Sequence, residues 1–205
     1  MSYLGTQPNN IVKNTGLYTP SEILQLEKDG HWGGSLELIA EQTASSDSAI
    51  DFLSIQENKF DVHYLTYNDI TVSNDNISLD IQFYESGVLE TASVYQVAYQ
   101  FGSPESFGEN KTTTSSIIRL TWGLGTVARE TGSGYQYLYN LSNNSKYSFV
   151  TGHWTQLEQG TSSYYFGFGG GVLPQASTVD GIRVKVNSGT FSGTIKLYGV
   201  KQWVT

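Results

Sequence analysis

The chain contains no cysteine in its 205 residues. Disulfides, thiolate metal sites and a cysteine nucleophile are therefore excluded, and stability must come from packing. Charge is scarce too: Asp, Glu, Lys and Arg make up 15% of the residues, and 11 basic side chains face 19 acidic ones for a net charge of -8. A polyanionic partner needs a basic face that releases its counterions, so this balance argues against nucleic acid and against an anionic membrane surface. No apolar run approaches the ~18 residues needed to cross a bilayer, and the first ten residues lack a basic stretch leading into an apolar core. These absences predict a chain made in a cytoplasm and not inserted into a membrane. No fixed-period repeat is present, which argues against propellers and solenoids.

What is abundant is glycine (22 residues), tyrosine (14), and Ser, Thr and Asn, a mixture that suits short strands joined by tight turns. The clearest stretch is 178 to 205. Ile182, Val184 and Val186 alternate with Arg183, Lys185 and Asn187, and after a turn over 188–193 Ile195 and Leu197 alternate with Lys196 and Tyr198. A period of two is that of half-buried strands, and two such strands must complete a sheet laid down earlier in the chain. Similar patterns begin at Leu36, Ile50, Asp61, Ile77, Val94, Ser115, Gly134, Lys146 and Ser163. The expected fold is all-β: a two-sheet antiparallel β-sandwich with jelly-roll-like connections over 34–205. Loops are expected at 44–48, 102–116, 123–134 and 167–174, the last because of three consecutive glycines at 169–171.

Residues 1–33 read differently. The first 18 are polar and turn-rich and resemble an arm ordered by what it touches. Thr19-Pro20-Ser21-Glu22 has the form of a capping box, with Pro20 where a missing N–H costs nothing. A short helix is expected to follow, with Ile23, Leu24 and Leu26 on its apolar face.

Reactive constellations are few. His31, His63 and His153 stand at no close ligand spacing, and no phosphate-cradling Gly-Lys-Ser/Thr or Gly-x-Ser-x-Gly elbow occurs. Asp80 and Glu85 fall on opposite strand faces by parity, which is wrong for the paired acids of a glycosidase. Residues 45–51 and 73–76 offer oxygen ligands that could hold a structural calcium, but neither has the Asp-x-Asp-x-Asp-Gly pattern, and solvated Asx turns are the favoured reading. No catalytic residue and no cofactor is predicted.

The ending Gly193-Thr194-Ile195-Lys196-Leu197-Tyr198-Gly199-Val200, preceded by Val179-Asp180-Gly181-Ile182-Arg183-Val184, resembles that of bacteriophage virion proteins, particularly tail-fibre and appendage proteins of marine phages. Gly34-Ser35-Leu36-Glu37-Leu38-Ile39, Ile50-Asp51-Phe52, Asp61-Val62-His63-Tyr64-Leu65 and Tyr95-Gln96-Val97-Ala98-Tyr99 fit the same group, so the resemblance covers about 34–201. It implies a non-enzymatic virion module, present as a homo-oligomer with a trimer favoured, that contacts other virion proteins and a host surface glycan or protein. On that reading Tyr3, Leu4, Tyr18, Ile23, Leu24, Leu26 and Trp32 would bury against a neighbouring subunit. A capsid decoration protein and a free carbohydrate-binding module are the alternatives.

Tyrosine is the residue most in excess of what a core needs, because a buried phenol must also find a hydrogen-bond partner. Tyr135, Tyr137 and Tyr139 alternate along one strand, and Tyr164 and Tyr165 open an aromatic run. These five are candidate surface contacts. They could be ordinary strand residues, a protein interface or a sugar platform: an interface needs a contiguous apolar patch, a platform needs exposed rings rimmed by hydrogen-bonding groups.

Overall fold

The computed structural model describes residues 19–28, 35–157 and 163–201. The chain divides into two units, residues 1–35 and 36–205. In the first, the helix α1 (Pro20–Lys28) begins with both arms of the capping box made: the Thr19 N–H donates to Glu22 Oε2 at 2.7 Å and the Glu22 N–H to Thr19 Oγ1 at 3.3 Å.

The second unit is built from thirteen described strands: β1 (Leu36–Asp47), β2 (Ala49–Phe52), β3 (Val62–Val72), β4 (Leu79–Glu85), β5 (Val88–Leu89), β6 (Tyr95–Gly102), β7 (Phe107–Ser115), β8 (Ile118–Arg119), β9 (Gly132–Tyr139), β10 (Ser148–Leu157), β11 (Tyr164–Leu173), β12 (Val179–Val186) and β13 (Phe191–Val200). They form two antiparallel sheets. The larger has the order β1-β13-β3-β9-β10-β11-β6-β7, and the smaller has β2-β12-β4-β5 with β8 also paired to β4. Within them β1-β13-β3-β9 and β2-β12-β4-β8 are the two interleaved sheets of a jelly roll, since the chain crosses between layers from β1 to β2, β2 to β3, β3 to β4 and β12 to β13. Strands β10, β11, β6 and β7 extend the larger sheet well beyond it.

The core lies between the layers. Leu65, Leu138, Val150, Ile195 and Leu197 of the larger sheet meet Phe52, Leu79, Ile81, Phe83, Ile182 and Val184 of the smaller one, all buried. Burial of this alternate set fixes the register, because a one-residue slip would turn every one of these side chains to water.

Three expected loops were misplaced, and a fourth, 123–134, holds only as far as residue 131. Residues 44–47 continue β1, because Thr43 to Ser45 keep pairing with Thr194 to Ser192 on β13. Most of 102–116 is β7, an edge strand with no buried residue that exists through its backbone ladder to β6. The 123–134 stretch ends inside β9, and β11 runs straight through the glycines at 169–171. There the missing side chain is the reason for the strand: a Cβ at Gly170 would overlap the carbonyl of Val150 on β10.

Candidate contact surface

Twelve of the fourteen tyrosines lie among the described residues, and the sandwich sorts them by what their hydroxyls can reach. On the inner face, Tyr67 donates to the Leu120 carbonyl at 2.6 Å, Tyr95 donates to the Glu90 carbonyl at 3.2 Å while accepting from the Phe83 N–H at 3.0 Å, and the Arg119 N–H donates to Tyr99 at 2.6 Å. Burial pushes the phenol pKa of all three up. These are core residues with satisfied polar tips.

The outward set is different. Registers across the larger sheet place Leu38 opposite Tyr198, Tyr198 opposite Tyr64, Tyr64 opposite Tyr137 and Tyr137 opposite Thr151. The row beside it brings Leu36 against Val200, Val62 against Tyr139, and Tyr139 against Phe149. Tyr64 is the hub, with ring centroids at 4.8 Å from Tyr137, 5.6 Å from Tyr135 and 6.2 Å from Tyr198. Tyr137 stacks on Tyr139 at 6.3 Å. Together these two rows make an uncharged band, and Leu38 is half exposed within it. The next row along the strands carries charge at both ends of the sheet: Glu41 is paired with Lys196 at 2.9 Å, and Glu109 is paired at 2.7 Å with Lys111, which stands on β7 at the far end of the Tyr137 row.

Tyr135, Tyr137 and Tyr139 thus share one outward face, partly shielded by one another, and Tyr164 stands exposed on the same face. Tyr165 does not belong with them. It is 8% exposed and stacks on Phe101 at 5.6 Å, because strand parity turns it inward when its neighbour Tyr164 points out. Tyr64, Tyr198 and Leu38 were missed as members of the surface. Their alternation was visible in the sequence, but which face met the core was not.

Of the residues assigned to an anchoring role, Tyr3, Leu4, Tyr18 and Trp32 lie outside the described residues. Ile23 and Leu26 are half-buried and three positions apart on one side of α1, whereas Leu24 is exposed.

Three of the polar residues suggested for calcium, Asp47, Asp51 and Asn74, are engaged otherwise. Asp51 binds Arg183 through two hydrogen bonds of 2.7 and 2.8 Å, and the guanidinium holds its carboxyl below the usual range. Asp47 accepts the Ser45 N–H at 2.8 Å, and Asn74 donates to Ser188 at 3.0 Å. Among the described residues no three His, Asp or Glu side chains are grouped to hold a metal. Asp80 is buried beside Arg119, 3.7 Å away, and Glu85 is hydrogen-bonded to Ser177 at the other end of β4, so the two acids do not converge. His63 is buried and its Nε2–H donates to the Ile55 carbonyl at 2.8 Å, a core histidine with a structural partner. His153 lies on the outer face, its ring stacked on Tyr135 at 5.5 Å.

No protein-family model, no curated protein and no solved structure matches this chain.

Proposed function

We propose that the chain is a non-catalytic structural subunit of a bacteriophage particle, of the tail-fibre or surface-appendage type, that assembles by burying the uncharged band of its larger sheet against a second copy of itself. The observation that carries this reading is the band: side chains from Leu38 through Tyr198 and Tyr64 to Tyr137, and from Leu36 through Val200, Val62 and Tyr139 to Phe149, bear no formal charge. Copies of a chain with net charge -8 repel one another, and contact is least opposed where no charge must be desolvated. Aromatic residues enriched over charged ones are also the composition of an interface centre. Homo-oligomers close by symmetry, and the resemblance to appendage proteins makes three copies around an axis the expected form. The resemblance of the 179–200 region to phage appendage proteins supplies the particle.

Size-exclusion chromatography with light scattering on the full chain tests the assembly. The expected mass is a multiple of 22.6 kDa, three-fold by preference, falling to a single chain in Tyr64→Asp and Tyr198→Asp variants with unchanged circular dichroism. A wild-type chain that stays monomeric at micromolar concentration overturns the proposal. Immunogold labelling of particles tests the location.

A further inference from the structure

Next to the uncharged band, and sharing Tyr64 with it, the same outer face holds a trough of about 510 Å³, within the ~300–1,000 Å³ of small-molecule sites. Two groups of rings line it. Tyr64, Tyr135 and His153 follow one another at 5.6 and 5.5 Å, the last two nearly parallel at 9°, and Tyr164 stacks with Phe166 at 5.9 Å. Short polar side chains complete the lining: Thr66 opposite Tyr135, and Ser133 opposite Thr155.

Two features of the lining define what fits. First, among the described residues no Asp, Glu, Lys or Arg lines the trough, and the nearest lysines on this face, Lys196 and Lys111, are each paired with a glutamate. An ionic ligand would lose its hydration there without gaining a counter-charge. Second, hydrogen-bonding capacity is left unused. Among the described residues the hydroxyls of Thr66 and Thr155 and the ring nitrogens of His153 have no hydrogen-bond partner, and Asn68 receives the Ser133 hydroxyl at 3.2 Å through its oxygen, leaving its amide N–H groups without one. A purely apolar occupant would bury these groups unsatisfied. The lining therefore selects a neutral molecule with apolar faces to lie on rings and polar edges to meet hydroxyls and amides, which is the chemistry of a pyranose.

We propose that this trough binds a neutral oligosaccharide, its sugar rings stacked on Tyr135 and Tyr164 and its hydroxyls bonded to Thr66, Asn68, Thr155 and His153. Tyr64 is shared with the uncharged band, whereas Tyr135, His153, Tyr164 and Phe166 lie outside it, and the site does not require the assembly proposed above.

Affinity electrophoresis of the full chain through gels containing hydroxyethyl cellulose, laminarin, galactomannan, xylan or dextran, with alginate as the anionic comparison, tests it. Retardation by at least one neutral polysaccharide is expected. Tyr135→Ala and Tyr164→Ala should each weaken it about tenfold, while Tyr139→Ala, in the band, should leave it unchanged. Thr155→Val removes a hydroxyl without changing shape and should weaken binding even if the alanine variants fold poorly. Absence of retardation by every neutral polymer, retardation by alginate alone, or wild-type binding in the Tyr135, Tyr164 and Thr155 variants overturns the inference. Light scattering on the same samples separates this outcome from a failure of assembly.

Discussion

The indole of Trp154 lies under Gly167, the residue directly opposite it on β11, in the space a side chain there would fill. The pair seats the largest inward side chain of β10 between the layers, edge-on to Tyr99 at 5.9 Å. Gly167→Ala should therefore overpack the interior and lower stability by ~1–3 kcal/mol, read as a shift in urea midpoint without a change in slope. Trp154→Leu in the same chain should cancel much of that loss, giving a favourable coupling in a double-mutant cycle.

Asp80 predicts an unusual pH response. Burial pushes its carboxyl up to about 7 from 3.8, and Arg119 offsets this only in part. Because the folded state holds the proton more tightly than the unfolded one, the contribution of this group to stability is complete below pH 3.8 and is lost as pH rises through about 7. Asp80→Asn should abolish that decline and be more stable than the wild type above pH 7. Urea unfolding at pH 5 and pH 8 measures it; equal pH dependence in both proteins would contradict the assignment.

His63 acts in the opposite sense. Burial holds its imidazole below 6.5, outweighing the Ile55 carbonyl that favours the charged form. Its contribution is present above pH 6.5 and is lost as pH falls through the lower folded value. In the Asp80→Asn background, where the opposing trend is gone, stability should fall on acidification below pH 6. The ring protons of His63 should titrate with a midpoint under 6.5 in an NMR series.

Leu38 and Ala44 lie on the same strand and should respond differently to one substitution. Leu38→Lys places a charge on the outer face and should change stability by less than ~0.5 kcal/mol while weakening self-association. Ala44, 2% exposed, has no room for a lysine, and Ala44→Lys should cost more than ~3 kcal/mol. Thermal melts and light scattering on the two variants separate the effects.

The reason Leu38 faces outward was beyond reach of the sequence. Leu36, Leu38 and Ala40 read as one face by simple alternation, yet Ile39 is an extra residue in the ladder: Leu38 pairs with Tyr198 and Ala40 with the adjacent Leu197, so the two fall on opposite sides. A bulge is set by the partner strand, and nothing in the local pattern marks it. The same holds for the glycines of β11, where turn propensity was overruled by the close approach of neighbouring strands on both sides, and for β7, whose run of threonines satisfies strand propensity without any apolar face to betray it. The capping box of α1 and the alternation of β12 and β13 were legible because they depend on contacts within a few residues or on a strict period of two. Of the contact surface, the sequence showed the excess of tyrosine and the row at 135, 137 and 139. It could not show that Tyr64 and Tyr198 join that row, since this depends on pairings between residues far apart in the chain.

Strand β13 sits between β1 and β3, bonded to both along its length. During synthesis the first of these waits for its partner while some 150 residues of intervening chain are made. Until then β1 and β3 have no common neighbour, and β1, at the edge of the larger sheet, is cut off from the rest of it. Closure by so distant a segment makes folding slow and leaves apolar edges open to other chains in the interval, so a subunit made at high local concentration is most exposed to mispairing just before its last strand emerges.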